Sequence, residues 1–128
     1  MSGDPRLDQL LADWRRALDR LDEVLARDPA GDETLGDAAI QRFEFNFELA
    51  WRSFQRKAES EGRNPVSPRD AFKSAFALGL IDDEALWLSM IADRNRTSHI
   101  YSSAMARDVL ARLASYARAM RAALAKIG

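Results

Sequence analysis

LDQLLADWRRALDRLDEVL, residues 7–25, sets Leu7, Leu11, Trp14, Leu18, Leu21 and Leu25 at steps of four, three, four, three and four. Apolar residues at that spacing form a seam along one side of an α-helix, the kind that packs antiparallel neighbours in a bundle. DPAGDET (28–34) ends the helix, with Pro29 and Gly31 as breakers. The same period continues through most of the 128 residues, with no alternating strand pattern and no internal repeat.

A second helix over about 36–61 carries Ile40, Phe43, Phe47, Trp51 and Phe54 on one face. Phe45 and Leu49 form a separate apolar stripe, and Gln41, Glu44, Glu48, Arg52 and Gln55 run between the two. A helix apolar on two sides is normally buried on two sides. One stripe serves the core; the other belongs either to a neighbouring helix of the bundle or to a partner subunit. GRNPVSPRD (62–70) then stops and restarts the chain. Gly62 suits a helix C-cap, Ser67 an N-cap, Pro68 the first helical position and Asp70 the first turn. A short helix runs to about Leu78 and is closed by Gly79. Another opens near Asp83, and the last begins around Ser103 with Val109, Leu113, Tyr116, Met120, Leu124 and Ile127 on one face. The expectation is all-α: one domain over residues 1–128, an antiparallel four-helix bundle with one additional short helix.

Composition narrows the function. There is no Cys and a single His, which rules out disulfides, thiolate chemistry and a His/Cys zinc site. No cofactor or metal is called for. No apolar run approaches the ~20 residues that span a bilayer, and the N-terminus lacks the basic and apolar regions of a signal peptide, so a cytoplasmic location is expected. The net charge of −1 is far from that of a non-specific nucleic-acid binder. It conceals an asymmetry: residues 1–50 hold 6 Lys/Arg against 12 Asp/Glu, whereas residues 51–128 hold 13 against 8. The basic part contains the polar cluster DRNRTSHIY (93–101).

In that cluster Arg94 follows Trp87, Met90 and Ile91 at helical spacing, so it points along the side of the buried residues. A guanidinium keeps its proton and needs acceptors or an anion. Glu44 and Glu48 on the second helix are the candidate acceptors, and an incoming phosphate is the functional one. His99 is the only side chain whose unperturbed pKa lies near neutral, and so the natural proton-transfer group. Five residues place it about 140° from Arg94 on an ideal helix. Either the helix breaks near Thr97–Ser98, where both side chains compete for backbone hydrogen bonds, or a second subunit completes the site. Tyr101 follows with a phenolic hydroxyl.

Arg94, His99 and Tyr101 read as R-x4-H-x-Y, which resembles the signature of the HEPN family in its HepT-toxin branch. AIQRFEFNFELAW (39–51), SPRDAFKSAF (67–76), GLIDDEALWLSMIADRN (79–95) and TSHIY (97–101) resemble the nucleotidyltransferase substrate-binding protein group of that family. The resemblance covers about residues 36–101. It implies a helical-bundle homodimer whose motifs face each other in a cleft, and a metal-independent RNA endonuclease. It also implies a toxin paired with a minimal nucleotidyltransferase antitoxin that silences it by AMPylation. By position, Arg94 and His99 take the catalytic places and Asn95 the polar place after the arginine. Glu44 or Glu48 would orient Arg94, and Tyr101 would receive AMP. The alternative is a non-catalytic subunit that binds substrate for a nucleotidyltransferase partner.

Overall fold

The computed structural model describes residues 3–99 and 102–128. Among these residues five α-helices follow one another: α1 (Pro5–Leu25), α2 (Glu33–Ser60), α3 (Pro68–Ala77), α4 (Glu84–Thr97) and α5 (Ser103–Ile127), with a 3-10 turn at Pro29–Gly31. Among the described residues there is no strand. Each helix starts on a polar side chain that accepts a first-turn backbone N–H: Asp4, Asp32, Ser67, Asp83 and Ser102. These caps satisfy donors that the helix itself leaves orphaned. The helix expected from about residue 36 begins at Glu33, because Asp32 Oδ1 accepts the Leu35 N–H at 3.2 Å. Glu33 and Thr34 therefore belong to α2 and not to the connection.

Gly62 and Gly79 close α2 and α3. Both lie in the left-handed region, at φ 85° and 75°. Arg63 N bonds back to the Ala58 carbonyl and Leu80 N to the Ala75 carbonyl, each at 2.9 Å. A non-glycine residue pays a steric penalty in that conformation.

The centre of the bundle is α2, which packs against every other helix. Leu7, Leu11, Trp14, Leu18 and Leu21 of the α1 seam are buried, as are Ile40, Phe43, Phe47 and Phe54 on α2. Aromatic rings join all five helices. Phe54 meets Trp14 of α1 at 5.6 Å and Trp87 of α4 at 5.2 Å, while Phe72 of α3 meets Trp87 at 5.1 Å between centroids. Phe43 stacks on Tyr116 of α5 at 5.5 Å. Edge-to-face and offset pairs of this kind add to the burial they accompany.

The second apolar stripe of α2 is only partly covered by the bundle. Phe45 is 59% exposed and Leu49 half-buried. Instead α2 has a third buried line, Ala39, Asn46, Ala50 and Ser53. Asn46 Nδ2 on that line donates to the Ala17 carbonyl of α1 at 3.0 Å. Small side chains let two backbones approach, so α1 docks beside the aromatic stripe and leaves Phe45 outside. No helix among the described residues is long and apolar enough to cross a membrane.

Candidate functional site

The polar cluster forms where α4 ends. Thr97 is its last helical residue and Ser98 its C-cap. Ser98 N and Oγ both donate to the Arg94 carbonyl, at 3.2 and 3.0 Å, and His99 N donates to the Arg96 carbonyl at 3.4 Å. The helix thus breaks where the Thr-Ser pair stands, and His99 is carried out of the helix on the turn toward α5. Its side chain is exposed.

Arg94 faces α2. Its Nη2 lies 3.4 Å from Glu48 Oε1, and its guanidinium carbon sits 5.8 Å from the centroid of the Phe47 ring. Glu48 is shared: its Oε2 also accepts from Trp51 Nε1 at 3.3 Å and pairs with Arg52 Nε at 3.4 Å. Glu44 takes a different partner, Thr97 Oγ1, at 2.8 Å. Of the two acceptors open in the sequence, Glu48 therefore meets Arg94, and Glu44 holds the end of α4. The tie on Arg94 is weak. Both side chains are more than a third exposed, and a pair of that kind contributes at most about 1 kcal/mol. Asn95 is exposed on the outer side of α4. The structure brings Arg94, Thr97, Glu44 and Glu48 together, and leaves Asn95 and His99 exposed. Tyr101 lies outside the described residues.

The group that sequence reading missed is next to Arg94. Asp93 is buried, at 2% exposure. Arg112 of α5 grips it with two hydrogen bonds of 2.7 Å, from Nε and Nη2, and Tyr116 Oη donates at 2.6 Å. Arg96 Nη1 adds a contact at 3.3 Å, and Arg96 and Arg112 both reach Asp108. Ser89 Oγ lies 3.0 Å from Tyr116 Oη. Burial pushes the Asp93 carboxyl up, but the hydrogen bonds from Arg112 and Tyr116 and the charges of Arg112 and Arg96 outweigh it and hold it below the usual range. Burial and the hydrogen bond to Asp93 push the Tyr116 phenol up. The available signals were Asp93 three residues after Met90, and Arg112 one turn before Tyr116 on the apolar face of α5.

Among the described residues no three His, Cys, Asp or Glu side chains come together to hold a metal ion. Chemically the cluster offers a guanidinium able to leave a weak partner for a phosphate, and an imidazole open to solvent.

A Haemophilus influenzae protein named "Probable ribonuclease HepT" is 33% identical over 86 residues, covering 63% of this chain. The chain spans only 59% of that relative's length. A crystal structure from Thermus thermophilus superimposes with a TM-score of 0.81 at 37% identity, covering 89% of this chain and 98% of the other. A second structure, from Haemophilus influenzae, is described as the fold of a substrate binding domain of a nucleotidyltransferase. It gives a TM-score of 0.77 at 24% identity, covering 94% and 98%, a likeness of fold alone. The family described as "Nucleotidyltransferase substrate binding protein like" matches residues 9–128, and the chain belongs to that family.

Proposed function

We propose that this chain is a HepT-like toxin, a metal-independent RNA endonuclease partnered by a minimal nucleotidyltransferase antitoxin. The observation that carries the reading is the break of α4 after Thr97, which puts His99 on an exposed turn just beyond a loosely held Arg94. RNA supplies its own nucleophile. Removing the 2′-OH proton lets that oxygen attack phosphorus, and protonating the 5′-oxygen lets it leave. His99 is the general acid or base, Arg94 binds the scissile phosphate and stabilises its developing charge, and Asn95 positions one or the other. Glu48 is the resting partner of Arg94, and Glu44 holds the turn through Thr97. In a homodimer two Arg94–His99 pairs share one cleft, providing both proton-transfer groups. The exposed Phe45 and the adjoining Leu49 supply the apolar surface for that dimer.

Purified protein is expected to cut RNA in EDTA, and His99→Ala to lose about 10²–10⁴-fold in rate. Intact RNA with the wild type rejects the reading. Regulation is assigned to Tyr101. Its phenolic oxygen attacks the α-phosphorus of ATP on the partner, and pyrophosphate leaves. The added phosphate charge repels RNA from the cleft. Intact mass should rise by one AMP in the wild type and stay unchanged in Tyr101→Phe; equal modification of both removes Tyr101 as the acceptor.

A second reading is a non-catalytic subunit that binds substrate for a nucleotidyltransferase, favoured by membership of the nucleotidyltransferase substrate-binding family. Growth arrest on expression, relieved by His99→Ala, separates the two.

A further inference from the structure

The last turn of α4 is held on two sides by contacts of very different strength. Toward α2 stand the 3.4 Å pair of Arg94 with Glu48 and the 2.8 Å bond of Thr97 to Glu44. Toward α5 stands the buried Asp93 carboxylate, with two 2.7 Å bonds from Arg112 and one of 2.6 Å from Tyr116. Arg96 adds a second crossing, reaching Asp93 at 3.3 Å and Asp108 of α5 at 3.1 Å. Buried ion pairs are poor devices for stability alone, since apolar residues of similar volume often serve as well or better. What they impose is direction: a carboxylate bound by a fork and a hydroxyl has one arrangement, whereas a leucine has several.

We propose that Asp93, gripped by Arg112 and Tyr116, is the positioning residue of the motif. Successive helical residues differ by about 100° of rotation and 1.5 Å of rise, so setting Asp93 sets the backbone of Arg94. Arg94 is then placed without being tied, and its side chain stays free to exchange Glu48 for a phosphate. The same clamp joins α4 to the middle of α5, and so sets the end of α4 from which His99 is carried. Neither Arg112 nor Tyr116 touches substrate; both act through Asp93.

For activity this inference rests on the ribonuclease reading; for geometry it stands alone, and the test has an arm for each. His99 is the only histidine, so its imidazole nitrogens give one set of signals in a long-range ¹H–¹⁵N spectrum. Tyr116→Phe removes one hydroxyl and Asp93→Asn removes the charge. Arg121→Gln, which cuts the contacts of Arg121 to Asp19 and Asp22 elsewhere on α5, is the control. The His99 signals should shift or broaden in the first two variants and stay in place in the control. If the wild type cuts RNA, kcat should fall roughly 10- to 100-fold in those variants at unchanged KM. Unmoved His99 signals in Tyr116→Phe overturn the proposal, as do moved signals with kcat within about twofold of wild type. If Asp93→Asn does not fold, Tyr116→Phe carries the test. If the wild type leaves RNA intact, the ribonuclease reading fails and the His99 signals alone decide the positioning.

Discussion

Asp93 and Arg94 are consecutive residues with opposite surroundings. Spacing from Trp87, Met90 and Ile91 turns Arg94 inward, and its side chain does reach α2, yet it remains 37% exposed. Asp93 takes the deeper place because α4 ends between α2 and α5, so its inward sector is wide enough for two successive residues. The folded state favours the charged form of Asp93, whose pKa is lowered. Its contribution to stability is therefore complete above the unfolded value of about 3.9 and is lost as pH falls through the lower folded value. Asp93→Asn should cost about 2–3 kcal/mol at neutral pH, below the figure for a fully dry pair because Arg112 is still 36% exposed. Chemical denaturation measures that loss. Between about pH 5 and pH 2 the wild type should lose more stability than the variant. Parallel acid curves would mean that Asp93 titrates alike in both states.

Element boundaries follow local chemistry, and so the sequence showed most of them. Ser67, Pro68 and Asp70 begin α3 as their types require, with Ser67 Oγ accepting the Asp70 N–H at 3.1 Å. Ser67→Ala should cost about 1 kcal/mol, read as a lower urea midpoint with unchanged slope. A change under about 0.3 kcal/mol would mean that water replaces the cap. The end of α4 was open between a break and a second subunit. Thr97 and Ser98 mark the break, and the second subunit belongs to the proposed dimer: Ser98 N and Oγ donate to the Arg94 carbonyl, and Thr97 Oγ1 reaches Glu44. That last contact spans 53 residues and has no local signature.

At the scale of the molecule, the question is what covers Phe45. Its stripe could have been a second core face of a central helix, but α1 meets α2 at Asn46, whose amide donates to the Ala17 carbonyl, and Phe45 is left 59% exposed. A phenyl ring so exposed contributes little to the fold of one chain, whereas a two-fold interface repeats it on both partners. Phe45→Glu should leave the thermal midpoint of the monomeric fold within about 2 °C and convert a dimer to a monomer in light scattering. A monomeric wild type would remove Phe45 as a dimer surface. Phe72→Ala, by contrast, empties a site where α2, α3 and α4 meet and should cost about 3–5 kcal/mol.

The sequence alone determined that the chain is helical, where each helix starts and stops to within a few residues, and which polar cluster stands out. Those features depend on period, caps and breakers, which act over a few residues. Tertiary structure decided that Glu48, not Glu44, meets Arg94, that Asp93 is the buried member of the cluster, and that Phe45 faces outward. Each depends on which face of one helix meets which face of another. A period of 3.6 residues states that a face exists, not what will cover it.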